Sequence, residues 1–192
     1  MLQAERLRAA LGNQLIGNRI VVLEETTSTN DLVWEMSADS AEGLVVFAER
    51  QTAGRGQRGN RWESAAGKGL WFSILMRSQV TPEESPRLTK WAAESVAQTL
   101  CDQHSLGAEV KPPNDIYVDD KKVAGVLLEM RAIPNSHLGI LGIGINVNQS
   151  AEDFPAELRA SAASIGMLTG REIDRHILAV ALLSQLDQTY AP

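Results

Sequence analysis

The segment 53–62 combines glycines, arginines and an aromatic residue, and it contains the pattern G-x-G-x-x-G. Glycines let a backbone approach an anion closely, arginines neutralise phosphate charge, and Trp62 offers a face that stacks on or covers a ligand. A dinucleotide-binding fingerprint would open a helix and be followed by an acid about 20 residues later, but residues 75–77 are Leu, Met and Arg. A Walker loop is excluded because Lys68 is followed by Gly69. The segment predicts an anion-binding loop or, equally, an exposed loop that Trp62 anchors to the core.

A second polar group lies at 111–115 (K-P-P-N-D), with Lys122 shortly after it. Its cation, amide and carboxylate beside two stiffening prolines suit a metal-bound triphosphate. Taken alone, an ordinary loop followed by a solvated hairpin turn is the favoured interpretation.

A third group is the run 139–148 (G-I-L-G-I-G-I-N-V-N). Gly142 and Gly144 are two residues apart, so a strand would place both on one face without side chains. A ligand packed against the sheet would require such a face, and so would a closely packed helix.

Composition and charge narrow the class of protein. The chain has 192 residues, 44% of them hydrophobic, one cysteine and a formal net charge of -6. A single cysteine excludes an intrachain disulfide framework, and the acidic balance argues against a general nucleic-acid binder. Residues 50–77 hold six basic side chains and one acid, or +5, which leaves -11 for the remainder. This local concentration of positive charge favours a compact anionic ligand, with no DNA and no membrane partner.

The hydrophobic periodicity supplies the elements that must position these groups. Helices are predicted at 2–11, 86–104 and 171–190, with a helix N-terminus in the capping cluster 26–31. Strands are predicted at 19–24, 44–49, 69–77, 116–118, 122–131 and 137–147. Hairpin-like groups of strands with helices between them predict an α+β fold with a mixed, largely antiparallel sheet and helices on one face.

Four motifs in this order carry a resemblance to a known family: 28–30 (S-T-N), 54–62, 111–115 with Lys122, and 142–146. With them, the sequence resembles the catalytic domain of biotin protein ligases over roughly residues 20–190. Two positions depart from the family pattern, since Pro112 replaces a tryptophan and Gln57 replaces a frequent arginine.

The resemblance implies a fold related to class II aminoacyl-tRNA synthetases and lipoate ligases. It also implies ATP and Mg²⁺ as co-substrate and metal, and biotin as substrate. The implied first step gives biotinyl-5'-AMP and pyrophosphate. In the implied second step, a specific lysine of a biotin carboxyl carrier protein takes the biotinyl group and AMP leaves.

The resemblance also implies roles for individual residues. The implied biotin-binding residues are Ser28, Thr29, Asn30, Gln51, Gly54, Arg55, Gly56, Gln57, Lys122, Gly125, Gly142 and Gly144. The implied ATP- or adenylate-binding residues are Arg58, Arg61, Trp62, Lys111, Asn114, Asp115 and Asn146. Lys122, Arg55 and Asp115 are implied to be catalytic, and Asp115 is implied to hold Mg²⁺.

We therefore expect residues 1–192 to form one catalytic domain, without the DNA-binding and SH3-like domains of other family members, in the cytoplasm. A homodimer is a further expectation from the resemblance. Two alternatives stay open: a ligase of the same fold that acts on lipoate or octanoate, and a biotin-binding protein that does not catalyse transfer.

Overall fold

The computed structural model describes residues 1–77, 81–134 and 136–190. The predicted domain 1–192 therefore includes residues 78–80, 135, 191 and 192, which lie outside the described residues. The helices are α1 (Ala4–Leu11), α2 (Thr29–Met36), α3 (Ser85–His104), α4 (Ile165–Thr169) and α5 (Arg175–Thr189). The strands are β1 (Arg19–Thr26), β2 (Leu44–Gln51), β3 (Gly69–Met76), β4 (Glu109–Lys111), β5 (Asp115–Val118), β6 (Lys121–Ile133) and β7 (Ser136–Asn146).

Across the described ranges, the strands form one sheet in the order β1-β2-β3-β7-β6-β5-β4. The pair β1–β2 is parallel, joined by a crossover through α2, and the other neighbours are antiparallel. The predicted α+β fold with a mixed, largely antiparallel sheet is confirmed. The β5–β6 hairpin turns at Asp119 and Asp120, which take positive φ angles of 48° and 60°, as a tight two-residue turn requires.

The helices lie on both faces of the sheet, whereas the sequence predicted helices on one face. A large core joins α1, α3 and α5 to one face, with Phe72 of β3 and Ile143 of β7 among its members. The opposite face packs against α2, where Val33 contacts a smaller apolar cluster that includes Val46 and Leu75. The alternation of side chains along β3 explains both layers, because successive residues of a strand point to opposite faces.

The predicted elements agree with the structure except at a few places. The closing helix begins at Arg175 rather than 171, because the Asp174 carboxylate accepts hydrogen bonds from the His176 and Ile177 amides and caps the first turn. The short elements β4 and α4 were not predicted, since three and five residues are too few to establish a period.

Candidate active site

A pocket opens beside α2 on the face of the sheet that this helix covers. It gathers predicted residues from each of the four motifs: Ser28, Thr29, Asn30, Gln51, Arg55, Gly56, Gln57, Trp62, Asn114, Asp115, Lys122, Gly125, Gly142 and Gly144. Apolar lining that was not predicted comes from Phe72, Val126, Leu127 and Ile143. Segments far apart in the chain thus converge on one pocket.

Two adjacent glycines form part of the floor. Gly125 of β6 and Gly144 of β7 are register partners, and the indole of Trp62 lies on both. A Cβ at Gly144 would lie 2.5 Å from Trp62 Cε2, which is closer than real Cβ contacts allow. Trp62 also packs edge-on against Trp71, with ring centroids 6.1 Å apart. Trp62 therefore anchors its loop to the sheet, and the same indole lines the pocket.

Gly142 of β7 lets helix α2 pack closely against the sheet. A Cβ at Gly142 would lie 2.5 Å from Asn30 Oδ1, so the absence of a side chain admits the first turn of α2. The N-terminus of that helix is capped from outside, since the Thr29 amide donates to Gln51 Oε1 at 2.9 Å. That amide has no partner within the helix, so the contact with Gln51 satisfies it. Close helix packing, one of the two alternatives for these glycines, is what Gly142 provides.

A continuous chain of hydrogen bonds borders the pocket on the α2 side. Thr29 Oγ1 lies 3.1 Å from Gln51 Oε1 and 2.7 Å from Ser73 Oγ. The Ser73 hydroxyl donates to Asn30 Oδ1, and Asn30 Nδ2 donates to Glu129 Oε2 at 2.7 Å. Thr29, Asn30 and Ser73 are buried. This fully paired polar network holds the hydroxyl and amide groups in fixed orientations.

Arg55 is held between two carboxylates. Its guanidinium donates to both oxygens of Asp31 at 2.8 Å and to Glu129 at 3.1 and 3.3 Å. The hydrogen bonds from Arg55 hold the pKa of Asp31 below its usual value, and the same bonds raise the pKa of Arg55. Arg131 lies 3.6 Å from Asp31 and stacks on the ring of Trp34. Because its charge is already compensated, Arg55 fastens the glycine-rich segment to α2 and β6.

Lys122 is the second cation of the pocket. Its Nζ lies 2.7 Å from Asp115 Oδ1 and 5.4 Å from the centre of the Trp62 ring. Both partners of the ion pair are about 30% exposed, at 31% for Lys122 and 27% for Asp115. An ammonium group has three N–H donors, so Lys122 keeps donors for a ligand after it pairs with Asp115.

Five predicted residues do not line the pocket: Gly54, Arg58, Arg61, Lys111 and Asn146. Gly54 supports it indirectly, since a Cβ there would lie 3.1 Å from Gln51 Nε2. Arg61 pairs with Glu63, and Lys111 pairs with Asp120 over the ring of Tyr117. Arg58 is exposed with a φ of 58°. Asn146 is buried, where it bonds the Lys122 carbonyl at 3.5 Å and accepts from Gln149 at 2.9 Å.

The positive charge of residues 50–77 is dispersed rather than pooled. Arg50 pairs with Glu25 on the surface, and Lys68 lies 3.9 Å from Asp153. Arg77 donates to the carbonyls of Ser37 and Ser40. The cations that line the pocket are Arg55 from this segment and Lys122 from outside it. The local charge of +5 therefore does not form a single cationic patch.

Three polar residues of this region were missed by the sequence reasoning: Asp31, Ser73 and Glu129. Ser73 is fully buried in an otherwise apolar strand, and Glu129 lies on the same face of β6 as Gly125. A polar residue inside a strand that is buried on both faces is a usable signal, because it requires a hydrogen-bond partner. Asp31 follows the S-T-N motif directly, but only the fold brings it to Arg55.

The described ranges contain no cluster of three or more His, Cys, Asp or Glu side chains arranged to hold a metal ion. Asp115 is the acidic side chain among the residues that line the pocket. Within the residues that the structure describes, no helix is both long enough and apolar enough to span a membrane.

The sheet order and the pocket define an α+β domain of the class II synthetase-like type with a polar pocket on its sheet. The chain belongs to the Biotin/lipoate A/B protein ligase family, whose model matches residues 22–146. The resemblance that the four motifs predicted is thereby confirmed.

Several relatives place the chain within this family. It is 36% identical to the bifunctional ligase/repressor BirA of Bacillus spizizenii over 91% of this chain and 54% of that protein. It is 31% identical to the biotin–[acetyl-CoA-carboxylase] ligase of Mycobacterium tuberculosis over 97% of this chain and 73% of that protein. Biotin protein ligase from Aquifex aeolicus in complex with biotin and ATP superposes with a TM-score of 0.77 at 33% identity, covering 89% of this chain and 69% of that one. The chain spans about half the length of the BirA relatives it matches.

Proposed function

We propose that this chain is the catalytic portion of a biotin protein ligase, which activates biotin with ATP and transfers it to a lysine of a biotin carboxyl carrier protein. The observation that carries the proposal is the convergence of all four motifs on one pocket, in a fold shared with a ligase that binds biotin and ATP. Two relatives that are about a third identical are named as biotin ligases, which favours biotin over lipoate.

In the first step, a carboxylate oxygen of biotin attacks the α-phosphorus of ATP, and the bond to the bridging oxygen of the β-phosphate breaks to release pyrophosphate. Lys122 supplies a positive charge at the developing negative charge, and Asp115 holds its ammonium group in place. A preorganised cation of this kind stabilises the transition state without reorganisation. In the second step, the acceptor lysine amine attacks the carbonyl carbon, AMP leaves, and the amine loses a proton.

The polar chain beside α2 supports binding of the biotin head group. Ser28, Thr29 and Gln51 present a hydroxyl and amide environment that complements a cyclic urea, which offers two N–H donors and one carbonyl acceptor. The valeryl chain would lie along Leu127, with Trp62 covering it. Asn30, Arg55 and the glycines 54, 56, 125, 142 and 144 would shape this half of the pocket, with Gln57 at its rim.

The nucleotide would occupy the side of the pocket that holds Asp115 and Asn114. Magnesium takes one or two protein carboxylates plus phosphate oxygens, so the single carboxylate of Asp115 fits an ion carried by the triphosphate. The buried Nε1 of Trp62 has no hydrogen-bond partner among the described residues, and an acceptor on the adenylate would satisfy it. Lys111, Arg58, Arg61 and Asn146 would contribute from the periphery.

The same proposal extends to the domain organisation, the location and the oligomeric state of the protein. We expect one catalytic domain, a cytoplasmic location and pairing of two copies in solution. Sedimentation at high protein concentration with biotin and ATP tests the last point, because a monomer under these conditions would contradict it.

The decisive test incubates the full chain with biotin, Mg-ATP and a biotin carboxyl carrier domain. We expect release of pyrophosphate and AMP and labelling of one acceptor lysine. Lipoate and octanoate serve as competing acids, and faster activation of either would overturn the assignment to biotin. Biotin binding without AMP release would support the alternative of a non-catalytic binding protein.

A further inference from the structure

The hydrogen-bond chain from Thr29 to Glu129 has a fixed direction. An ionised carboxylate only accepts hydrogen bonds, so the group of Asn30 that faces Glu129 is its NH₂, at 2.7 Å. The amide oxygen of Asn30 then faces Ser73 and accepts the hydroxyl proton of Ser73. Asn30 is 4% exposed and fills the space above Gly142, and among the described residues its side-chain amide bonds Ser73 and Glu129.

The orientation of the Asn30 amide also fixes the donor and acceptor roles of the hydroxyl groups nearer the pocket. A hydroxyl has one proton, so Ser73, which donates to Asn30, must accept from Thr29 across the 2.7 Å contact. The other neighbour of the Thr29 hydroxyl, Gln51 Oε1, is also an acceptor, because it receives the Thr29 amide proton. The Thr29 hydroxyl donates its one proton to either Ser73 or Gln51. Toward the pocket, the Thr29 oxygen can therefore only accept a hydrogen bond.

We propose that Glu129 is a positioning residue that sets the polarity of this chain and thereby makes the pocket select an acid whose head group carries N–H donors. Such a group is the ring urea of biotin, so the inference rests on the function proposed above. Lipoate and octanoate carry no N–H and gain nothing from an acceptor at Thr29. Glu129 acts through Asn30 and Ser73, and it does not line the pocket itself.

The isosteric variant Glu129→Gln tests the polarity directly. A glutamine offers either its oxygen or its NH₂ to Asn30, so the Asn30 amide is free to turn over and reverse the donors and acceptors of the chain. We expect the KM for biotin, and its Kd measured without ATP, to rise about tenfold, which is the size expected for a mispaired buried polar group. The KM for ATP and the weak binding of octanoate stay within about twofold. Glu94→Gln, which alters an exposed pair with Lys90 on α3, is the matched control.

A second comparison separates polarity from charge. Glu129 also binds Arg55, but Asp31→Asn weakens the other side of that clamp while it leaves the Asn30 contact in place. We expect Asp31→Asn to change the preference for biotin over octanoate less than Glu129→Gln does. An equal loss in both variants would overturn the proposal, because the ion pair rather than the amide orientation would then decide selectivity.

The double variant Asn30→Asp with Glu129→Gln restores the original direction. A carboxylate at position 30 accepts from Ser73 and from the new glutamine NH₂, so Thr29 again donates to Ser73. We expect the Kd for biotin to return to within about threefold of the original chain. Failure of this rescue, in a protein that still turns over ATP, would overturn the proposal.

If Glu129→Gln does not fold, Ser73→Ala breaks the same chain without a change in charge. We expect about a threefold weaker affinity for biotin and unchanged octanoate binding, whereas unchanged biotin affinity would overturn the proposal.

The unsubstituted chain distinguishes a failure of the role of Glu129 from a failure of the proposed function. If it activates biotin while Glu129→Gln and Ser73→Ala leave the biotin Kd unchanged, only the role of Glu129 falls. If it does not activate biotin, the proposed function falls.

Discussion

At the scale of single residues, the candidate site depends on groups that are already paired within the protein. Lys122 faces Asp115, and Arg55 faces Asp31 and Glu129. Pairing fixes where each cation stands before a ligand arrives, which lowers the reorganisation that binding and chemistry require. Arg55, which the sequence suggested as catalytic, has the weaker claim to that role because its donors are engaged by carboxylates.

Lys122 provides the first prediction at this scale. Lys122→Ala should reduce the rate of adenylate formation by about 10²- to 10³-fold, because a preorganised charge is lost at the transition state. Pyrophosphate release measures the rate. Lys121→Ala is the control, since its ammonium bonds the Ala160 carbonyl on the surface. A loss in Lys122→Ala no larger than in Lys121→Ala would contradict the role of Lys122.

Gly144 provides the second prediction for a single residue. Gly144→Ala would place a methyl group 2.5 Å from the Trp62 ring, so the indole must shift into the pocket. We expect the KM for biotin to rise at least about tenfold, since overpacking of this kind costs about 1–3 kcal/mol. Gly107→Ala is the matched substitution, because a Cβ there meets nothing within 4 Å. Equal kinetic constants in the two variants would show that the glycine floor does not shape the site.

At the scale of elements, a largely buried ion pair between Arg175 and Glu49 joins helix α5 to strand β2. Arg175 at the start of α5 donates to Glu49 of β2 at 2.8 Å and to the Gly69 carbonyl, and the Leu2 amide donates to the same carboxylate. Burial raises the pKa of Glu49, but the hydrogen bonds from Arg175 and Leu2 outweigh it, so the pKa lies below its usual value. This junction lies two residues before Gln51, so it also fixes the end of β2 that reaches the pocket.

Removal of Arg175 should therefore destabilise the fold. Arg175→Met would leave a carboxylate that is only 8% exposed without its cation. We expect the free energy of unfolding to fall by about 3 kcal/mol, as measured by urea denaturation. Arg50→Met provides the comparison, because Arg50 and Glu25 are about half exposed and such pairs contribute at most about 1 kcal/mol. Similar losses in both variants would be inconsistent with a buried junction.

At the scale of the whole molecule, acid should destabilise the fold through its histidines before its carboxylates titrate. Burial lowers the pKa of His104, Arg171 lowers it further, and both ring nitrogens lack a partner within the described residues. Burial also lowers the pKa of His176, whose Nε2 accepts from the Gln3 amide. A lowered pKa means that the unfolded state binds more protons near pH 6, so stability is present above about pH 6.5 and falls as the pH drops through that value.

This pH dependence is measurable at two conditions. We expect the free energy of unfolding to be smaller at pH 5.5 than at pH 7.5, and His104→Leu to reduce that difference. Carboxylates with lowered pKa values, such as Asp31 and Glu49, lose their stabilising charge only below about pH 4.5, outside this window. Gln103→Leu, at the exposed neighbouring position, controls for the added apolar surface. An undiminished difference in His104→Leu would exclude His104 as the cause.

Patterns in the amino-acid sequence were enough to predict the strongly periodic elements, and they place the four motifs in order along the chain. Helix α3 and strands β3, β6 and β7 follow from local hydrophobic patterns, because burial of one face or of both leaves a period in the chain. The identities of Lys122, Thr29 and Gln51 as site residues followed from the motif resemblance, and they do line one pocket.

Which of these groups come into contact, and how they are hydrogen-bonded and ion-paired, depends on the folded chain. The pairing of β6 with β7 brings Gly125 beside Gly144 under Trp62, and the crossover through α2 sets Asn30 over Gly142. Ser73 and Glu129 join the site through contacts 43 and 99 residues away from Asn30 in the chain, which no local pattern encodes. Hydrogen-bond direction and ion pairing depend on atoms brought together from distant segments, so the fold rather than the motif fixed the polarity of the pocket.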